Sequence, residues 1–523
     1  METVCDALPG DMDALRAEVL ALRAERAELQ IENVRLGANV THLEHLLAQL
    51  RRLKFGRGSE KLDPEQLQLA LEDIEQAIAE AQAEGEKASP SLKAERTRER
   101  RENRPSLPSD LPVVEVVIEP QSIACPCCAG GMHKIGEETS RRLDIVPAVH
   151  RVLVTRRPKY ACRACEGQIV QAPTPARLIQ GGLPTEALVA QVLVNKYADH
   201  VPLYRQSQAL ARQGIVIDRS TLAFWVGYAA AELKPLWWLM RKMLLGSARL
   251  FADETTAPVL DPGRGRTKVS YLWAIARDDR PWGGQEPPAV VYTYAPGRGT
   301  EHALELLKDF SGVIQVDGYS AYKALAKARG NSILLSHCWT HFRRRFYDLV
   351  KAGSAPIATE ALVRIAQLYA VEADVRGQAP EIRKAARQSR SKIMVDDLKV
   401  WLTDQLKSLP GSSKTAEAIR YGLRHWDGLC RFLDDGHLEM DTNTVERAMR
   451  PIALNRKNAL FAGSDEGGHT WACIATFIEC CKLSGVNPQA YLTDVLTKLV
   501  NQWPNSRLDE LTPWAWKASN PTP

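Results

Sequence analysis

A multidomain α+β protein is what this 523-residue sequence predicts, with an N-terminal coiled coil ahead of a mixed α/β core. Three observations carry the expectation. A leucine heptad runs unbroken near the start, two CxxC pairs follow it, and a later stretch passes from consecutive strand-like runs to alternating strands and helices. The length exceeds one ordinary domain, so several are expected. Hydrophobic residues at 45% and charged residues at 25% are the balance of a chain that builds globular cores. Arg241 and Lys242 break the most apolar run, "PLWWLMRKMLL", and no uninterrupted apolar stretch reaches the roughly 18 residues of a membrane span. The acidic N-terminus, "METVCDALPGD", has no signal-peptide core. The eleven cysteines are therefore expected in the cytosol, as metal ligands rather than disulfides.

The heptad comes first. Leu15, Leu22, Leu29, Leu36, Leu43 and Leu50 recur every seven residues, with Met12, Val19, Arg26, Asn33, Val40 and Leu47 at the second seam position. Leucine at one seam, with β-branched residues and an asparagine at the other, favours a two-stranded parallel coiled coil over residues 1–62. Asp11 with Arg16 and Glu18 with Arg23 fall at the spacing that bridges parallel chains, so a homodimer or higher oligomer is expected. Gly37 is a defect of about 1 kcal/mol, and a long amphipathic helix packed on its own domain is the alternative. Residues 63–112 read as a helix and a charged linker, in which "KAERTRERRENR" is a solvated spacer.

Residues 113–180 read as a zinc-binding module. Cys125 and Cys128 form one CxxC turn and Cys162 and Cys165 another, separated by 33 residues that read as a β-ribbon. Two such turns complete a tetrahedral site for one structural Zn²⁺. Cys127 is an extra thiol, and a reduced, metal-free cluster is the alternative. The module is basic: residues 134–177 carry nine Lys/Arg against four Asp/Glu. In residues 181–245, "LYRQSQALARQGIVIDRSTLAFWVGYAA" shows two helical patterns joined across Gly214, the punctuation of a helix-turn-helix. Its second helix, capped by Asp218 or Ser220, would offer Arg219, Ser220 and Thr221 to a DNA groove. Two packed helices of a bundle would look similar.

Residues 246–350 read as strands 248–255, 268–277 and 289–295, helix 300–309, strand 312–317, helix 319–329, strand 331–336 and helix 339–350. The strand runs, such as "VSYLWAIA" and "AVVYTYA", are β-branched and aromatic and bounded by Gly, Pro and Asp. Three strands followed by βαβ units is the ribonuclease-H-like order, in which carboxylates from separate elements meet at one sheet edge. Asp253, Asp317 and Glu446 occupy such places, and a cluster of three would suit two divalent cations acting on a phosphodiester. Each has another reading. Asp253 ends a strand, with Glu254 on the opposite face; Asp317 before Gly318 is a turn former; and Asn443 with Glu446 matches a capping box. "HCWTH" (His337, Cys338, His341) lacks a second metal half-site and reads as core or active-site rim.

Taken in order, "LKFGRGSEKL", the CxxC pairs, "PLYRQSQALARQGIVIDRSTLAFWVG", "ADET", "QVDGYSAY", "CWTHFRRRF" and "ERAMRPIALNRKNALFAGSDEGG" resemble the DDE transposases of the insertion-sequence 66 family, the TnpC-type large transposases of bacterial mobile elements. The resemblance implies that Asp253, Asp317 and Glu446 form the catalytic triad holding two Mg²⁺ ions. It also implies terminal inverted repeats and target DNA as partners, with cleavage and strand transfer as the reaction, in the bacterial cytoplasm at the nucleoid. Accessory transposition proteins stay open. One departure is Thr442 after Asp441, where the family commonly has Asn. Residues 351–440 read as a mostly α-helical insertion, 441–500 as the glutamate helix closing the core, and 501–523 as a C-terminal tail. Arg447, Arg450, Arg456 and Lys457 beside Glu446 would hold phosphates, or are exposed surface. The competing functions are a structure-specific nuclease that cuts without joining and a non-enzymatic regulator built from the zipper, zinc and helix-turn-helix parts.

Overall fold

The computed structural model describes residues 12, 15–26, 30, 89–102, 150–161, 169–261, 266–353 and 355–520. Two compact units divide the chain, Met1–Leu153 and Val154–Pro523. In the first, residues 15–26 are helical, as is Pro90–Glu102, whose Arg98 and Glu102 pair at 3.0 Å one turn apart. Most of the heptad, and all four CxxC cysteines with Cys127, lie outside the described residues.

The second unit opens with a short antiparallel hairpin, β1 (Lys159–Ala161) and β2 (Ile169–Gln171), whose connection carries Cys162 and Cys165. Three helices follow: α1 (Glu186–Tyr197), α2 (Leu203–Arg212) and α3 (Arg219–Leu245). Between α2 and α3, Gly214 turns the chain at φ +80°, a conformation that glycine adopts without steric penalty. Ile217 is then buried beneath the turn. The second helix runs on past the quoted 203–230 segment to Leu245. Its buried positions Leu222, Trp225, Val226, Ala229, Leu233, Leu236, Met240 and Leu244 keep the helical period, and Pro235 sits on the exposed side. That apolar stripe outweighs the local cost of the proline.

The sheet has five strands: β3 (Arg249–Asp261), β4 (Arg266–Arg277), β5 (Ala289–Ala295), β6 (Gly312–Val316) and β7 (Ile333–His337). Their spatial order is β5-β4-β3-β6-β7. β4 is antiparallel to both β3 and β5, whereas β6 and β7 run parallel to β3. Helices α4 (Thr300–Leu306) and α5 (Ser320–Arg329) make the parallel crossovers. The predicted strands match closely, and β3 extends past residue 255 because β4 pairs with it as far as Asp261.

After β7 come α6 (Trp339–Ala352), α7 (Pro356–Asp374), α8 (Pro380–Ala386), α9 (Lys392–Ser408), α10 (Lys414–Arg424) and α11 (Trp426–Cys430). They enclose a hydrophobic cluster of their own, with Trp339, Phe342, Phe346, Ile365, Leu398, Ile419 and Phe432 at its centre. The chain returns to the sheet as α12 (Asn443–Ala459), then α13 (Asp465–Ser484), α14 (Pro488–Val500) and α15 (Pro513–Ser519). Helix α13 covers the β5 edge: Thr476 Oγ1 accepts from Tyr292 N at 3.0 Å, and Cys480 Sγ exchanges contacts with Val290 N and O at 3.4 and 3.1 Å. An edge strand that would otherwise offer unpaired amides is thereby closed. Residues 501–523, read as a tail, are folded at least to Asn520: Leu508 and Leu511 are buried, and Leu511 O accepts from Tyr491 Oη at 2.7 Å.

Candidate active site

Strand register brings the first two acids together. Arg249 lies opposite Val313 and Phe251 opposite Gln315 in the parallel β3–β6 pair. Carried two residues further, the same register sets Asp253 beside Asp317. Side chains alternate along a strand, so these two leave the sheet on one face. Asp317 follows directly on β6, and its Oδ1 accepts from Tyr319 N at 2.8 Å. The turn-forming role is therefore real and compatible with a place in the cluster. Asp253 Oδ1 accepts from Glu254 N at 2.8 Å.

Glu446 arrives on the first turn of α12. A bond from Arg456 Nη1 to Thr256 O at 2.7 Å pins this helix along β3. Beyond the helix, Leu260 N donates to Ala462 O at 2.8 Å and Ala462 N to Pro258 O at 2.9 Å. Tyr292 Oη adds a bond to Ala448 O. The capping box of Asn443 and Glu446 does not form. Asn443 is already the first helical residue, and its side-chain amide donates to Asp441 Oδ2 at 2.6 Å. Thr442 is the N-cap, and its Oγ1 donates to Glu446 Oε1 at 2.9 Å. The Glu446 side chain remains 31% exposed.

The Asp253 carboxyl responds to both of the other acids. Burial, then the Glu254 carboxylate, with Asp317 and Glu446 adding to them, pushes the Asp253 carboxyl up to about 8. Burial also raises Asp441, with Glu446 contributing and Arg447 and Arg376 opposing. A buried carboxyl raised by neighbouring acids in this way suits a cation, whose charge would offset the repulsion. The carboxylate oxygens of Asp253, Asp317 and Glu446 would fit a hard divalent ion such as Mg²⁺.

Glu254 is not the bystander that alternation predicts. Its side chain is only 1% exposed and pairs with Arg298 Nη2 at 2.6 Å, and Tyr322 Oη donates to it at 2.9 Å. Burial raises its carboxyl, and Arg298 opposes the rise. Arg298 also stacks on Tyr319, 3.8 Å from the ring centroid, so the pair braces the turn that carries Asp317. Sequence reasoning missed this brace; "ADET" showed the acid but not its partner in the later "PGRG" loop.

The remaining predicted residues divide. Arg219, Ser220 and Thr221 are exposed on the first turn of α3, and Phe224 and Tyr228 continue that face, 50% and 44% exposed. Arg447, Arg450 and Lys457 are exposed on α12. Arg456 is half-buried, and the bond to Thr256 O that pins α12 to β3 engages its Nη1, so its first role is inside the fold. Cys338 and His341, read as core or rim, lie beside Glu446: the Cys338 sulfur, a ring nitrogen of His341 and a carboxylate oxygen of Glu446 are within 4.8 Å of one another.

Known sequences match this chain over most of its length. The Transposase IS66 family model matches residues 181–470, more than half of the 523-residue chain. The zinc-finger binding domain of transposase IS66 matches residues 122–166, and the IS66 C-terminal element matches residues 476–514. A model described as the transposase C of IS166 homeodomain matches residues 42–116. In Sinorhizobium fredii (strain NBRC 101917 / NGR234), the uncharacterized protein y4jD is 46% identical over 92% of this chain and 96% of its own length. From the same organism, y4qI is 44% identical over 91% of this chain and 89% of its own, and y4hP is 36% identical over 92% and 90%. With one family model spanning α1, the five-stranded sheet and α12, and relatives matching nearly end to end, the chain belongs to the IS66 transposase family.

Proposed function

We propose that this chain catalyses DNA transposition with a ribonuclease-H-like core, in which Asp253, Asp317 and Glu446 hold two Mg²⁺ ions. The observation that supports the reading is the placement of Asp253 on β3, Asp317 directly after the neighbouring parallel strand β6 and Glu446 on α12, with both other acids raising the Asp253 carboxyl. The strand order β5-β4-β3-β6-β7, with one antiparallel arm and two parallel neighbours, supports the fold. Metal ions bound there supply charge neutralisation and water activation. The protein's own part is to hold the ions and align the DNA. Arg447, Arg450 and Lys457 would meet phosphates beside Glu446, and Arg219, Ser220 and Thr221 would enter a groove of the terminal inverted repeat. A water would attack the phosphodiester at the element end, breaking its bond to the 3′ oxygen, and the freed 3′-OH would attack a target phosphodiester, whose own 3′ oxygen leaves as the new strand joint forms.

Cys125, Cys128, Cys162 and Cys165 are proposed to bind one structural Zn²⁺, and the heptad to pair two subunits so that two ends are bridged. The test uses full-length protein with terminal-repeat DNA and Mg²⁺. Cleaved ends and joined products are expected from the wild type, and neither from Glu446→Gln. Cutting without joining would support a nuclease instead. End binding without cutting in any divalent metal would support a regulator. Elemental analysis should find one zinc per chain, and Cys162→Ser should lose zinc and end binding together, since structural-zinc binding energy is folding energy.

A further inference from the structure

Of the three acids, only Glu446 has no strand to fix it. Its Oε1 takes the Thr442 hydroxyl at 2.9 Å, while His341 Nδ1 stands 3.6 Å from the same oxygen. That ring nitrogen is buried and has no hydrogen-bond partner. Such a group costs free energy until it finds one. Among the described residues, no hydrogen bond reaches Glu446 Oε2. The segments carrying the two neighbours are interlocked: Trp339 N donates to Met440 O at 3.0 Å, and Thr442 N to Cys338 Sγ at 3.3 Å. Cys338 and Thr442 are both buried. His341 lies three residues after Cys338, the spacing that puts two side chains on one side of a helix start. The start of α6 and the turn before α12 therefore form one rigid corner, and Glu446 leans against it.

We infer that Thr442 and His341 are positioning residues for Glu446: together they hold Oε1 and leave Oε2 to face Asp253 and Asp317. The inference rests on the metal-dependent reading above. The 3.6 Å gap is about half an ångström longer than a good N–H···O bond. A small rotation of the Glu446 side chain closes it, and with the proton on Nδ1 the orphaned nitrogen becomes a donor. A carboxylate held by one oxygen presents the other in a fixed direction, which is what an octahedral ion with little tolerance for displaced ligands requires.

Full-length Thr442→Val, Thr442→Ser, His341→Ala and Asp253→Asn proteins are compared with the wild type. Mn²⁺ binding is read by electron paramagnetic resonance at one pH, and end cleavage is measured against Mg²⁺ concentration. Thr442→Val and His341→Ala should each weaken Mn²⁺ binding about 10-fold or more and raise the Mg²⁺ concentration for half-maximal cleavage in parallel. Thr442→Ser, which keeps the hydroxyl, should restore both. Zinc content and end-DNA binding should not change in any of them. Wild-type Mn²⁺ affinity in both Thr442→Val and His341→Ala, even with a lowered melting temperature, overturns the inference. If wild type and Asp253→Asn bind Mn²⁺ equally poorly, the metal-dependent reading fails and takes this inference with it.

Discussion

Two regions of the same site are built by different means. The Asp253–Asp317 half is set mainly by backbone: Asp253 lies in the β3–β4 ladder opposite Ala274, and Asp317 follows directly on β6, whose pairing with β3 runs to Gln315. The Glu446 half is set by side chains, because the chain leaves the sheet after β7, packs a second hydrophobic cluster, and returns only at α12. Its return is guided by buried ions. Arg387, fully buried, makes a bidentate pair with Glu372 at 2.8 and 2.6 Å and donates to the carbonyls of Phe432, Asp435 and Leu438. Arg383 adds bonds to Leu438 O at 3.4 Å and Glu439 at 2.5 Å. Five bonds to the 432–439 segment therefore come from two guanidinium groups. Ladder hydrogen bonds tolerate the loss of any one member; a buried ion cluster does not. The difference predicts a robust half and a fragile half.

The largest effect belongs to the robust half, and it is chemical rather than structural. Asp253→Asn or Asp317→Asn should lower cleavage and strand transfer by orders of magnitude while leaving the fold intact. The stability change has a sign. Asp253 titrates at about 8 in the folded chain against about 3.9 unfolded. Its contribution is thus fully present below pH ~4 and lost as pH rises through ~8, since the native state keeps a proton that the unfolded state has released. In chelator-treated protein, Asp253→Asn should melt above wild type at pH 8, and the difference should vanish toward pH 4. A wild-type protein that melts higher at pH 8 would contradict the crowding of the acids.

Next comes the fragile half. Arg387→Ala removes one member of a buried pair and leaves Glu372 only the Arg383 guanidinium, 3.6 Å away, a loss of up to about 3–5 kcal/mol. Denaturant titration should show it, and hydrogen exchange should show where: amides of 432–446 should lose protection well before those of β3 and β6. Uniform loss across both regions would mean that the two halves are one cooperative unit.

What the sequence disclosed follows the same division. Strand β5 was predicted at its observed limits, and Asp253 and Asp317 stood at the ends of apolar runs, because strand periodicity is local information. Nothing local marks Arg383 and Arg387. "EIRKAARQSRSK" reads as an exposed basic helix, and the two arginines are buried only because carbonyls from 432–438 converge on them. Arg456 was likewise read as a phosphate contact, whereas its Nη1 bonds Thr256 across nearly the whole core sequence. His341 and Thr442 are about as hidden, since each has meaning only when α6 and α12 are brought side by side. Long-range side-chain pairing is the part that a single sequence does not display.

A smaller effect should come from Glu254→Gln. The amide keeps the size and one bond to Tyr322 or Arg298 but loses the charge that pairs with Arg298 at 2.6 Å. The turn carrying Asp317 should loosen, and cleavage should fall several-fold rather than by orders of magnitude. Arg298→Lys, which cannot stack flat on Tyr319 or form the same fork, should fall with it. If Glu254→Gln were inert, the brace would be packing alone.

The smallest test sits on the border between the two halves. Gln315 is buried on β6, two residues before Asp317 and therefore on its face, and its Oε1 accepts from Glu439 N at 2.8 Å. It is a direct bond between the sheet and the returning segment. Gln315→Leu keeps much of the volume and leaves the Glu439 amide without a partner, a loss of about 1–3 kcal/mol. The consequence should be one-sided. Backbone register between β3 and β6 does not depend on that side chain, so Asp253 and Asp317 should stay together, and metal binding that relies on them should change little. Glu446, downstream of the freed amide, should become less well placed, so the Mg²⁺ concentration for half-maximal cleavage should rise modestly. Reversed results, with protection lost in β6 and kept in 432–446, would show that the returning segment holds the sheet in place rather than the sheet holding the segment.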